Sequence, residues 1–365
     1  MGKREVAEYK KRRYYKPLAV LAENKVLAYH AMGVYILDLK EGNKKKTGSF
    51  DSTIFNRLIS RCRPIVRMLR LEPRSCMEID AENYLLAFHK KLWKINIKEG
   101  NITEVYRFRA GMNHCQSFCT NGDNIYFGDY MSNPDKHAIN LYKFSKKDLS
   151  VDIIYTFPEG KVNHVHQIIW DEYRSRYWIF TGDEGDASAI WYTENEFKSI
   201  NLYLKGSQQY RACVVFVTPE NLIYATDTPY EQNYIMKVNI DTKKCMKCGE
   251  INGPGIYGTS DDEYLYWATS VEPDISNGSV IRSLFGYHMA KGINLREVHL
   301  ICMDKSNENI EVIAKYKKDQ MPIGLFQFGE ILFADNRRYK KQCIGYGQSI
   351  KRYDGCIIKI VRRTT

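Results

Sequence analysis

Residues 161–186, KVNHVHQIIWDEYRSRYWIFTGDEGD, read as strand, tight turn and strand. His164 and His166 open the first strand, Ile168, Ile169 and Trp170 carry it inward, and the charged turn at 171–176 reverses the chain. Tyr177, Trp178, Ile179 and Phe180 then return it, and Gly182-Asp183 closes the second strand. A third apolar run follows at 189–192. Aromatic and β-branched residues bounded by turn formers suit a pleated, half-buried surface.

The same unit recurs. Apolar strands ending in a small residue and then His, Asp or Ser stand at 26–30 (VLAYH), 84–89 (YLLAFH), 125–129 (IYFGD), 222–227 (LIYATD), 264–270 (YLYWATS) and 331–335 (ILFAD). Their spacing of about 40 to 65 residues centres near the repeat of a four-stranded propeller blade, with loops on one rim taking up the irregularity. Third strands follow at 33–39, 92–97, 140–144, 234–240, 299–303 and 355–360, and fourth runs at 153–157 and 310–314. Helical periodicity is almost absent. The pattern predicts an all-β chain, a seven-bladed β-propeller of four-stranded antiparallel blades, as one domain over residues 1–365 with a basic extension at 1–15. Six blades are the alternative, if the short first unit completes the last sheet; that closure would pair the chain ends and remove an exposed edge.

Composition agrees with a sheet-rich body: aromatics make up 13% of 365 residues, with 27 tyrosines against 10 prolines. The net charge of +11 concentrates at 3–16, 44–46, 61–74 and 337–341, which are solvated faces or a surface for a polyanion. No run approaches the roughly 18 apolar residues of a membrane span, nor a signal peptide, so a soluble, cytoplasmic chain without a membrane partner is expected. Ten cysteines then read as reduced thiols, and Cys245 and Cys248 form a lone CxxC without a second pair at zinc-finger spacing. Phosphate-loop and dinucleotide fingerprints are absent, and neither cofactor nor metal is expected. Nucleic acid ranks last among partners, because the basic residues form no known reading element.

Propeller geometry sorts the polar residues. The innermost strand runs down the channel and the second runs back, so the start of one and the end of the other share a face. Counting back about 15 to 17 residues from each second-strand end reaches Arg74, His114, His166 and Arg211 on four successive blades. Solvation alone would be served by Lys, Glu, Ser or Asn. Imidazole instead exchanges protons near neutral pH, and guanidinium holds a carboxylate or sulfate bidentately, so the set suits an acidic sugar. The second-strand ends add Asp129 and Asp227 as ion-pair partners or substrate contacts, and Asp183 as the carboxylate for acid–base work. His164, Gln209 and Tyr230 complete the substrate-binding candidates, and Tyr210 is a candidate proton donor.

Residues 189–200, AIWYTENEFKSI, resemble a degraded Asp-box, the SxDxGxTW hairpin of sialidase-like propellers, with Thr193, Asn195 and Ser199 at the polar positions. Phe197 stands where that pattern has Gly, and Ile200 where it has Trp. Seven blades with His, His and Arg on consecutive inner strands also look like the propeller polysaccharide lyases that act on ulvan-type uronate polymers, and the rhamnosidases similar to them. The lyase resemblance implies a histidine or tyrosine that removes the proton beside the uronate carboxylate and an arginine that neutralises it. It would give His114 and His166 the histidine positions, Arg211 the arginine position, and Tyr210 or Tyr192 the acid. Elimination needs a cation facing the developing enolate and a base within hydrogen-bond reach of the carbon. Hydrolysis by a sialidase-like enzyme needs two carboxyls, or a carboxyl and a tyrosine, across the bond, for which Asp183 or Glu184 with Tyr210 are available. The expectation is therefore an acidic oligo- or polysaccharide as partner, cleaved by elimination ahead of hydrolysis, with a non-catalytic glycan- or protein-binding propeller as the third reading.

Overall fold

Seven four-stranded antiparallel sheets follow one another along the chain in the computed structural model, which describes residues 4–9, 12–274 and 284–362. Lys3, Lys10 and Lys11 of the basic extension lie outside the described residues. Each blade runs from an innermost strand outward. These innermost strands are Lys16–Ala22, Ser75–Glu78, Cys119–Asn121, His164–Asp171, Val215–Val217, Tyr257–Ser260 and Glu330–Phe333, in blades 1 to 7.

Blade 4 contains the quoted stretch: His164–Asp171 pairs with Arg176–Gly182, which pairs with Ala189–Thr193 and then Asn201–Lys205. In its third turn Thr193 Oγ1 accepts from Phe197 N–H, and Asn195 Oδ1 accepts from Ser199 N–H. Phe197 takes a positive φ of 68° there, the conformation for which glycine is the usual choice, and its ring is buried against Tyr126 and Tyr177.

The ring closes as a seven-bladed body. Arg4–Tyr9, part of the segment expected as a basic extension, is the outer strand of blade 7, antiparallel to Ile357–Arg362. One strand assignment changes. Residues 331–335 are not the second strand of the last blade, because Glu330–Phe333 is its innermost strand and Cys343–Gln348 the second. The second strand, CIGYGQ, escapes an apolar search because Gly345 and Gly347 dilute it. A Cβ on Gly345 would lie 2.7 Å from Ile331, so close strand packing demands the glycine.

Each pair of neighbouring blades shares one apolar cluster. Trp178 and Phe180 of blade 4 meet Tyr224 and Met236 of blade 5, and Ile223 and Ala225 of blade 5 meet Trp267 and Met303 of blade 6. At roughly 1.5–3 kcal/mol per large apolar side chain fully buried, these seams dominate the cohesion of the ring. Two short helices, Ile54–Ile59 and Arg63–Met68, lie between blades 1 and 2. Arg63 pairs with Glu72 and Asp354, and Arg67 with Asp319, so part of the basic run at 61–74 is spent pinning the second helix to blade 7 and the loop before it. All ten cysteines are free thiols.

Candidate active site

The innermost strands begin at one mouth of the channel, and every blade places a polar side chain there: Lys16, Arg74, His114, His164 with His166, Arg211, Tyr257 and Glu330. Arg74 Nη1 donates to Glu330 Oε1 (2.7 Å) and to the Tyr257 hydroxyl (3.0 Å). Arg74 is also near enough to act on His114, whose ring centroid lies 5.5 Å from that of Tyr130. Tyr130 in turn stands 4.7 Å from His164 and 6.3 Å from His166. Arg211 Nη2 reaches Asp183 Oδ1 at 3.0 Å and its Nε reaches Asp227 Oδ2 at 3.3 Å. Arg74, His114, His166 and Arg211 therefore belong to one continuous network. The channel holds a cavity of about 1020 Å³ whose lining runs from Lys16, Arg74 and Tyr257 to Trp170, Tyr173 and Arg337.

At the centre, His164 Nε2 and His166 Nε2 are 2.9 Å apart, and lie 3.3 and 3.5 Å from Asp183 Oδ1. His164 Nδ1 faces the Met131 carbonyl (3.0 Å) and His166 Nδ1 the Ala212 carbonyl (3.2 Å). A carbonyl only accepts, so both Nδ1 atoms carry hydrogen and both neutral rings aim Nε2 lone pairs at one another. Two lone pairs and a carboxylate oxygen in contact require a cation between them, either a proton or a metal ion. Burial lowers the pKa of His166, with the Asp183 hydrogen bond opposing. Burial pushes Asp183 up, but His164, the hydrogen bonds of both imidazoles and Arg211 outweigh it and hold the carboxyl well below the usual range. Asp183 Oδ1 is buried, within 3.5 Å of both imidazole nitrogens and of Arg211. Two imidazole nitrogens and a carboxylate oxygen are a donor set suited to manganese or zinc. The expectation of no metal thus meets residues that fit one. A second set, His166, Cys213 and Asp227, is less suited, because burial and then Asp227 keep the Cys213 thiol protonated.

The remaining expected residues divide. Asp227 accepts from the Cys213 thiol (3.1 Å) as well as pairing with Arg211. Tyr230 donates to Glu184 Oε1 (2.8 Å) at the rim. Asp129 turns into blade 3, where it takes Arg109 (3.0 Å), the Tyr142 hydroxyl (3.0 Å) and the Asn140 N–H (2.7 Å). Tyr210 packs against the cluster between blades 4 and 5 and its hydroxyl engages Cys245, so it does not face Asp183 or His166. Gln209 contributes its carbonyl to Tyr224. Asp183, held ionised, is an anion that organises its neighbours rather than a proton donor.

Sequence reasoning missed Tyr130, Tyr257, Glu330 and the availability of Arg70. Tyr257 and Glu330 begin innermost strands and follow the same counting rule once blades 6 and 7 are in register. Tyr130 directly follows Asp129, and burial pushes its hydroxyl pKa well above the usual value. His114 Nδ1 faces the Cys115 carbonyl (3.0 Å), and burial, reinforced by Arg74, lowers its pKa to about 4. Arg70 is exposed, forms no ion pair among the described residues, and acts on the same imidazole.

No family model matches this chain, and no curated protein matches it. Solved structures do. An oligogalacturonate lyase in complex with manganese superposes with a TM-score of 0.59 at 11% identity, over 99% of this chain and 98% of that one. The WD40 β-propeller domain of Doa1 gives 0.58 at 9% identity, over 100% and 98%. An oligogalacturonate lyase from Vibrio parahaemolyticus gives 0.54 at 9% identity, over 98% of both chains. At such identities the likeness is one of fold.

Proposed function

We propose that the protein is a propeller lyase that cleaves an acidic, uronate-containing glycan by β-elimination at this mouth. The observation that carries the reading is a neutral imidazole, His114, sharing the mouth with an arginine, Arg70, that forms no ion pair among the described residues. Arg70 faces the uronate carboxylate and offsets the charge that develops as the neighbouring C–H ionises. His114 Nε2 takes that proton; the electron pair forms the C4–C5 double bond, the C4–O bond breaks, and the leaving oxygen is protonated by Tyr130. The two protein groups then exchange their protons with water, and no net proton is consumed. Arg211 is a positioning residue here, since Asp183 and Asp227 already take up its charge. His164, His166 and Asp183 would hold a divalent cation, which would supply positive charge beside the substrate carboxylate. Two oligogalacturonate lyases built on a similar scaffold support the substrate class. Sialidase-like hydrolysis is less well supported, because the carboxyl it would need as acid is held ionised.

Incubation with uronate polymers tests this. Elimination raises the ultraviolet absorbance of an unsaturated uronate; new reducing ends without that absorbance would mean hydrolysis, and binding without cleavage would mean a recognition module of the kind other propellers form.

A further inference from the structure

A second pocket, of about 320 Å³, opens on blade 1 between the outer strand Lys44–Ser49 and the helix Ile54–Ile59. Its walls are Tyr15, His30 and Tyr35, with Lys44, Lys46, Arg57 and Arg61 around them, and no Asp or Glu lines it. His30 lies stacked on Tyr15 at 4.5 Å, and Tyr15 meets Tyr35 edge-on at 5.2 Å. Lys44 Nζ donates to the Tyr15 hydroxyl (2.7 Å) and Arg57 Nε to Ser52 Oγ (3.1 Å), both neutral partners. None of the four cations forms an ion pair among the described residues. Four like charges converging on one concavity repel one another, and an anion relieves that repulsion. Glu72 acts electrostatically both on His30 in this pocket and on Arg74 at the mouth. His30 ends the second strand of its blade, as Gly182 ends that of blade 4 just before Asp183 and Ala225 that of blade 5 shortly before Asp227, so both sites face the same side.

We propose that this blade 1 pocket is a second anion site that takes a carboxylated or sulfated sugar ring of the same acidic chain whose scissile bond lies at the mouth. Lysine and arginine meet the anionic group, and the tyrosine faces meet the ring. This rests on the uronate reading above, which it deepens by requiring a polymer rather than a dimer as preferred substrate.

The test uses the full chain with 15N-labelled histidine and the Lys46→Ala/Arg61→Ala double variant, both changes lying at exposed positions outside the mouth. Sodium sulfate should shift the His30 ring signals of the wild type and not those of the variant. Polygalacturonate affinity should fall at least about tenfold in the variant while digalacturonate affinity stays the same. If sulfate leaves His30 unmoved and the variant keeps its polymer affinity, the pocket is not an anion site, and the lyase reading stands or falls separately on product formation. If sulfate shifts His30 but no uronate binds anywhere, the glycan assignment and the lyase reading both fail. Ile54, Phe55 and Leu58 are exposed beside the pocket, so phosphatidylglycerol vesicles form the third arm. Vesicle binding lost in the variant, with polymer binding unchanged, would overturn the proposal in favour of a lipid headgroup.

Discussion

His114 carries the proposed chemistry because burial and Arg74 keep its imidazole neutral. Its ordinary value of 6.5 falls to about 4 in the fold, so the acid limb of kcat/KM should lie near pH 4 rather than 6.5. Its folded value is the lower one, so its contribution to stability is complete above 6.5 and drains away as pH falls toward about 4. His114→Ala should lower kcat by about 100- to 10,000-fold with the circular dichroism spectrum unchanged. A loss of activity that follows a loss of structure would contradict the assignment. Lys16 provides a check on stability. Burial lowers its pKa from 10.5 to about 7, against the pull of Glu72, so the folded chain bears that cost in full below about pH 7 and sheds it by 10.5. Lys16→Met should therefore raise the urea midpoint relative to wild type more at pH 6 than at pH 10. An equal difference at both would show that the ammonium is not desolvated.

At the scale of strands, Gly182 ends the second strand of blade 4 against the His166 ring. A Cβ there would sit 2.4 Å from His166 Cε1, and the ring, fixed on Ala212, has no free direction in which to yield. Gly182→Ala should cost about 1–3 kcal/mol of stability and weaken manganese binding measured by calorimetry, while His30→Ala leaves manganese binding unchanged. The second strands were legible because apolar runs ending in Gly-Asp or Ala-Thr-Asp mark them, and the counting rule then reached His114 and His166. It failed in the last blade, where paired glycines hide the second strand and Glu330 stayed out of sight. Side-chain direction was beyond it altogether. Tyr210 and Asp129 occupy positions consistent with the mouth, yet Tyr210 follows the apolar seam to Cys245 and Asp129 follows Arg109, choices made by packing partners distant in sequence. Arg70 and Tyr130 carry no local signal of their own; the pairing of Arg63, Arg67 and Arg74 with carboxylates leaves Arg70 as the cation available beside His114.

For the whole ring, closure depends on the chain ends. Arg4–Tyr9 covers the edge of Ile357–Arg362, Glu8 accepts from the Tyr316 hydroxyl (3.2 Å), and Arg4 reaches across to Asp261 (3.1 Å) on blade 6. Deleting residues 1–9 should lower Tm by at least about 5 °C and promote concentration-dependent association through the bared edge. An unchanged Tm would mean that the seams between blades hold the ring without that strand. A closed ring gives the mouth its purpose, because seven strand starts converge only when all seven blades are present. The central claim is that a uronate chain is bound and broken at this mouth, and a crystal structure of the His114→Ala variant with an unreacted galacturonate oligomer tests it most directly. The account predicts a uronate carboxylate against Arg70 with its sugar ring beside Tyr130; an oligomer seated at the opposite end of the channel, or on the outer edges of the blades, would contradict it.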